Sequence, residues 1–183
     1  MLGLHAMQHR GQEATGIVSF DGETFHAKRG RGEVGEILND ETVLKSLAGN
    51  AAIGHNRYAT TGEGTDQNIQ PLFAEFSSGG FAIAHNGNLT NASALHNRLL
   101  ASGSLFQSTT DTEVIIHLMA RSMQANLVER LADALHQVEG AFSLVALSRK
   151  KLIGVRDPLG IRPLVLGRLG GAHILASETC ALD

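Results

Sequence analysis

Residues 81–91 read FAIAHNGNLTN, and the parsing of this stretch decides the fold. Phe81-Ala82-Ile83-Ala84 is a short apolar run of the kind that forms a buried strand, and it stops at His85-Asn86-Gly87-Asn88. Asn and Gly tolerate left-handed backbone, so Asn86-Gly87 is expected to bend the chain sharply. Such a bend leaves a backbone N–H and a side-chain amide facing one point, and two donors converging on one point make an oxyanion hole. The same dipeptide is also the signature of a hairpin turn. A hairpin needs a returning strand, however, and downstream lie Leu95, Leu99 and Leu100 at helical spacing, with Gly103 as a stop. The stretch therefore predicts a strand, a polar turn and a helix.

Outward from it, the chain reads as strands in hairpins and helices in pairs. An opening helix runs from the first residues to about Gly11, uncapped, as though part of it preceded Met1. Ala14–Phe20 and Thr24–Lys28 are strands joined through Asp21-Gly22, a hairpin signal, and Gly30-Arg31-Gly32 breaks the second. Asp40 caps a short helix with Val43, Leu44 and Leu47 that closes at Gly49. Ala51–His55 is a second buried strand, followed by a long polar loop up to Pro71, and long loops in compact domains usually carry function. Thr110-Asp111-Thr112-Glu113 starts a helix through Val114, Ile115, Leu118 and Met119, and Leu127, Leu131, Leu135 and Val138 mark the next. Both are expected on one sheet face. Ala141–Leu147 and Leu152–Val155 form an antiparallel pair, and Leu164–Leu166 and Ile174–Ala176 are short strands. This order favours an antiparallel α+β arrangement over a parallel βαβ one.

Composition narrows the function. At 183 residues and 43% hydrophobic, the chain suffices for one core and is read as a single domain, 1–183. A net charge of −3, with basic runs no longer than Lys28-Arg29-Gly30-Arg31 and Arg149-Lys150-Lys151, argues against a nucleic-acid or membrane surface. The single cysteine, Cys180, excludes an internal disulfide framework and fits a reducing cytoplasm. No apolar run reaches transmembrane length, and the first ten residues lack the pattern of a signal peptide.

The polar residues that stand out sit at strand ends: Arg57 and Thr60 after the second buried strand, Asn86 and Gly87 after the third, and Arg10-Gly11-Gln12-Glu13 after the first helix. An Arg on a rigid strand end can grip a carboxylate with two parallel hydrogen bonds, and an Asp at a helix start, Asp111, can receive an ammonium group. Together they would hold an α-amino acid. The alternative is that Arg57 is a surface residue and Asp111 only a helix cap. His5, His9 and Glu13 fall four residues apart as a possible metal face, but Gly11 interrupts the helix and no further ligand has suitable spacing. Gly62-Glu63-Gly64 and Gly167–Gly171 lack the context of phosphate-binding loops and read as turns. Cys180, beside apolar neighbours, reads as inert.

The segments LHAMQHRGQEATGI, GHNRYATTG, QPLF, AHNGNLTN, TDTEVI, GAFSLVAL and GVRDPLGIRPLVLG, with the closing ASETCAL, resemble the class II glutamine amidotransferase domain. The resemblance is greatest to the branch that commits phosphoribosyl pyrophosphate to purine synthesis. It implies a four-layer αββα sandwich of antiparallel sheets, of the N-terminal nucleophile hydrolase type. It also implies that Arg57 binds the glutamine carboxylate, that Thr60 helps position it, and that Asp111 takes the α-amino group. Asn86 and the N–H of Gly87 would form the oxyanion hole, and Arg10-Gly11 would line the nucleophile side. The ammonia would pass to a phosphoribosyltransferase domain. The resemblance implies no cofactor in this domain, Mg2+ only with the phosphoribosyltransferase domain, and a homo-oligomer at full length. The family's nucleophile is an N-terminal Cys that is its own base. It would precede Met1, so the first strand is expected to be missing and the 183 residues to be inactive alone. The competing expectation is a catalytically inert module that binds an amino acid or packs on another chain.

Overall fold

The computed structural model describes residues 1–58 and 65–182. Helix α1 (Leu2–Ala6) leads through a 3-10 turn at Gln8–Arg10 into strand β1 (Ala14–Phe20), so the opening helix ends earlier than its apolar pattern suggests. All seven residues of β1 are buried. The Asp21-Gly22 hairpin forms as read: Asp21 Oδ1 accepts the N–H groups of Glu23 and Thr24, both at 2.8 Å. Strand β2 (Phe25–Arg31) runs past the expected break, because Lys28 to Arg31 stay paired with Ile17 to Ala14. Helix α2 (Val34–Ile37) was not legible as a helix; a reciprocal capping box between Glu33 and Glu36 forms it. Asp40 caps α3 (Glu41–Ser46) through its side chain on the Thr42 N–H, as expected. Strand β3 (Ala51–Arg57) extends two residues beyond His55 and pairs with β1 from Phe20↔Ala51 to Ala14↔Arg57.

The second sheet contains strand β4 (Leu72–Phe76), unforeseen in the sequence, then β5 (Gly79–Leu89), β6 (Gly140–Ser148) and β7 (Leu152–Arg156). The expected turn at His85–Asn88 is not a turn. Strand β5 continues through it, paired with β6 from Phe81↔Ser148 to Leu89↔Gly140. Polarity misleads here because a strand is defined by its backbone ladder, and polar side chains are tolerated where the strand passes a cavity. The helix after it forms as expected, as α4 (Ala92–Ala101), followed by α5 (Asp111–Arg121) and α6 (Leu127–Leu135). A last antiparallel pair, β8 (Val165–Leu169) and β9 (Ala172–Ala176), completes the chain.

Strand order is β2-β1-β3 in one sheet and β4-β5-β6-β7 in the other. Alternate residues of each strand serve two cores, as the two-residue period of a strand requires. Val18, Phe20, Ile53, Ala82 and Leu147 meet between the sheets. On the outer faces Ile17 packs against Leu4, Val34 and Leu38, while Phe81, Ile83, Leu144 and Ala146 pack against α4, α5 and α6. The result is four layers, α/β/β/α, with α5 and α6 on one sheet face as predicted. Among the described residues no helix is long and apolar enough to cross a membrane.

Candidate active site

The inward faces of β3 and β5 deliver the site. Along β3, Ile53 lies in the core between the sheets, so His55 and Arg57 continue the same face. Along β5, Ala82 lies there and Asn86 follows by the same alternation. At this end the gap opens into a cavity of about 930 Å³ lined by Arg10, His55, Arg57, Asn86, Gly87 and Asp111, among others. Arg162 reaches it from a loop organised by buried Asp157, which accepts the N–H groups of Leu159 at 3.0 Å and of Ile161 and Arg162 at 3.3 Å.

Arg57 is anchored by the segment after the first helix. The Glu13 N–H donates to the Arg57 carbonyl at 3.1 Å, and Glu13 Oε2 stands 3.8 Å from Arg57 Nε. Gly11 lies directly on the Arg57 backbone; a Cβ there would be 2.4 Å from the Arg57 carbonyl carbon, so no larger residue fits. Arg10 lines the cavity while its guanidinium pairs with Glu178, which also contacts His9 Nε2 at 2.9 Å. The Arg10 hydrogen bond, with help from His9, holds the Glu178 carboxyl below its ordinary range. Thr60 lies outside the described residues, as do Gly62-Glu63-Gly64.

Strand β5 supplies donors from its backbone and side chain. The N–H of His85 donates to Gln70 Oε1 at 2.6 Å, and that of Leu89 to Asp111 Oδ2 at 3.0 Å. Both point away from β6, and since N–H groups alternate along a strand, Gly87 between them turns its N–H to the same open edge. A Cβ at Gly87 would stand 2.1 Å from the Ala141 carbonyl oxygen and 2.8 Å from His85 Nε2, so close approach as well as its φ of +156° requires glycine. Asn86 Nδ2 is buried without a hydrogen-bond partner, as are Nδ1 of His55 and Nε2 of His85, which line the same cavity, together with Glu13 Oε2 beside Arg57 and His117 Nε2 elsewhere. Native interiors rarely leave such groups unpaired, and three of the five among the described residues belong to residues that line this cavity.

Asp111 is the first residue of α5, with Thr110 at the cap position, so its carboxylate is not a helix cap. It faces Leu89 N–H and His85 instead, with Oδ1 3.4 Å from His85 Nδ1. Burial pushes its pKa up, but the neighbouring His85 and the N–H groups of Leu89 and Thr112 outweigh that, and the group stays below the ordinary carboxylate value. His55 goes the other way: burial, then the charge of His85, push it down to about 4, against a hydrogen bond with the His85 backbone that favours the charged form. A cationic Arg57, an anionic Asp111 and converging neutral donors thus line one chamber.

Arg10, Arg57, Asn86, Gly87 and Asp111 line one cavity, whereas Gly11 packs on the Arg57 backbone without lining it. His5 and His9 belong to separate helical turns, and no group of three His, Cys, Asp or Glu suited to a metal occurs among the described residues. Cys180 is not among the cavity's lining residues. Sequence reasoning missed His55, His85 and Gln70. The repeated His-Asn at 55–56 and 85–86, each just before a singled-out residue, was the available signal.

Residues 55–183 match the family described as a glutamine amidotransferase domain, and the chain belongs to that family. Its relatives carry a more particular name. An amidophosphoribosyltransferase of Rhizobium etli is 56% identical over 182 residues, covering 100% of this chain and 37% of that protein. Its Bacillus subtilis counterpart is 44% identical, covering 99% of this chain and 38% of that protein. Among solved structures, the glutamine phosphoribosylpyrophosphate amidotransferase from B. subtilis complexed with ADP and GMP superposes with a TM-score of 0.93 at 43% identity. It covers 100% of this chain and 39% of that one. The fold is thus the N-terminal nucleophile hydrolase type of that enzyme. The chain spans a little over a third of the length of these relatives.

Proposed function

We propose that the cavity binds L-glutamine and that the domain releases ammonia from its side-chain amide for an amidophosphoribosyltransferase reaction. The observation that carries this is the charge pattern: Arg57 and Asp111 line one chamber with Asn86 and Gly87. Arg57 takes the α-carboxylate and Asp111 the α-ammonium. The side-chain amide then extends toward Asn86 Nδ2 and the Gly87 N–H. As a thiolate adds to the amide carbon, the carbonyl oxygen becomes negative, and those two donors stabilise it. Collapse expels ammonia, and water frees glutamate from the thioester. In this family's chemistry the thiol is that of an N-terminal cysteine whose α-amino group accepts the proton. Arg10 and Gly11 border that side. Thr60 is assigned to the carboxylate end by motif alone.

Such a domain needs no cofactor. The acceptor would be phosphoribosyl pyrophosphate in a phosphoribosyltransferase domain, where Mg2+ would neutralise the pyrophosphate, and the setting would be purine synthesis in the cytoplasm. The relatives' names and greater lengths support that wider reading.

Calorimetric titration with L-glutamine tests the core of the proposal. Saturable binding is expected, and Arg57→Leu should weaken it by roughly ten- to a hundredfold, the cost of a charge-assisted pair. Absence of binding, or binding indifferent to Arg57→Leu, would refute it.

A further inference from the structure

The inference rests on the glutamine-site reading and concerns what holds that site in shape. His85 is 4% exposed and has no part in the chemistry assigned above. Its Nδ1 lies 3.4 Å from Asp111 Oδ1 and 3.2 Å from Thr112 Oγ1. A carboxylate only accepts, so we assign the ring hydrogen to Nδ1, where Asp111 Oδ1 and Thr112 Oγ1 share it. The other nitrogen, Nε2, is buried, partnerless, and packed beneath Gly87, 2.8 Å from where a Cβ would stand. The residue's own backbone is pinned by the Gln70 amide, whose Oε1 accepts its N–H at 2.6 Å and whose Nε2 donates to its carbonyl at 3.4 Å. One edge of this ring therefore touches the carboxylate assigned to the α-ammonium, and the other supports the peptide assigned to the oxyanion.

We propose that His85 is a positioning residue for amino-acid recognition: its Nδ1–H orients the Asp111 carboxylate toward the α-ammonium group, and its ring fixes that carboxylate relative to the Gly87 peptide. Asp111 then has both oxygens directed, Oδ2 by the Leu89 N–H at 3.0 Å and Oδ1 by His85. Without the second, the carboxylate keeps only its backbone N–H partners, those of Leu89 and Thr112, and loses the side-chain contact that sets its tilt, so recognition of the α-ammonium weakens while the rest of the ligand is still held.

The test compares L-glutamine with glutaramate, which is glutamine without the α-amino group, by calorimetric titration of the protein. His85→Phe keeps a ring and removes both nitrogens; it should weaken L-glutamine by about tenfold, the scale of a lost hydrogen bond to a charged group, and leave glutaramate within about twofold. His85→Asn, which offers an amide N–H near the place of Nδ1–H, should recover most of the loss. In an Asp111→Asn background, His85→Phe should cost L-glutamine nothing further, since the interaction it removes is already gone. Should thermal unfolding show that His85→Phe does not fold, His85→Leu replaces it in every arm. Equal losses for both ligands, or losses that add in the double variant, would show that His85 acts only through packing and overturn the inference. Failure of the unaltered protein to bind L-glutamine would instead overturn the site reading on which it rests.

Discussion

Gly87→Ala probes the oxyanion geometry with one methyl group. The added Cβ would stand 2.1 Å from the Ala141 carbonyl oxygen and 2.8 Å from Phe142 Cα, where ordinary contact begins at 3.4 Å. Both atoms are β6 backbone, so relief requires β5 and β6 to part locally by on the order of 1 Å. Overpacking of this kind costs about 1–3 kcal/mol, and a side chain at this positive φ about 1 kcal/mol more. The lost backbone freedom of the unfolded chain returns about 0.4–1 kcal/mol. For a protein of this size the balance lowers the thermal midpoint by roughly 3–10 °C. The catalytic effect is larger, because a donor displaced by about 1 Å from a developing oxyanion loses about a hundredfold in turnover. The assay is glutamate release by an active form carrying the N-terminal cysteine, measured beside the glutamine dissociation constant. Turnover within about threefold of the unaltered enzyme would mean that the N–H of residue 87 does not face the reacting carbonyl.

Asn86→Ala should lower turnover by about a hundredfold or more while leaving glutamine affinity nearly unchanged, because in the proposed mechanism its amide serves an oxygen that is negative only in the transition state; equal effects on affinity and turnover would assign it to ground-state binding. Burial holds the His55 pKa at about 4, below its ordinary 6.5, so in that window the unfolded chain binds more protons than the folded one. Stability should therefore fall as pH drops from about 6.5 toward 4, and His55→Gln should flatten the dependence of thermal midpoint on pH. Glu113→Ala should destabilise the chain by about 2–4 kcal/mol in urea unfolding, since a buried carboxylate there accepts from charged-type hydrogen bonds. Those partners are Gln107 N–H at 2.8 Å and the N–H and hydroxyl of Ser108, both at 2.6 Å.

What was legible in the sequence is what local chemistry determines. The Asp21-Gly22 hairpin, the Asp40 cap, the periodic α5 and α6 and the β6–β7 pair all rest on residues within a few positions of one another, and all form. Strand β4 was missed because its burial alternation is not written as an alternation of polarity: exposed Phe73 is as apolar as buried Leu72, and five residues beside a proline offer little else. The site divided in the same way. Arg57 and Asp111 stood out as charged groups at element ends and Asn86 as an amide in a polar run, although that run lies inside β5 and not at its end; all three are readable without knowing their neighbours. The importance of His55, His85 and Gln70 arises only when β3, β5 and the segment before β4 meet, and no spacing within the chain encodes that meeting.

The misread stretch explains why the site lies where it does. Strand β4 pairs with β5 only from Phe76↔Gly79 to Leu72↔Ile83, whereas β6 accompanies β5 as far as Leu89. Beyond Ile83, one edge of β5 has lost its neighbour while the other keeps the strand straight. An unpaired buried backbone edge is costly, and each of its groups needs a substitute partner. The side-chain amide of Gln70 stands in for a peptide group at His85, and the carboxylate of Asp111 accepts the Leu89 N–H. Between these two substitutes lies Gly87, whose peptide groups the strand alternation turns to the same edge, where the residue lines the cavity. A longer β4 would spend that donor in the ladder, and a solvent-facing edge would leave it hydrated and weak. The mismatch in strand length, bounded on either side by Gln70 and Asp111, leaves the rigid Gly87 N–H outside the ladder beside the Asn86 amide, and it leaves the carboxylate proposed to recognise the substrate attached to the same edge.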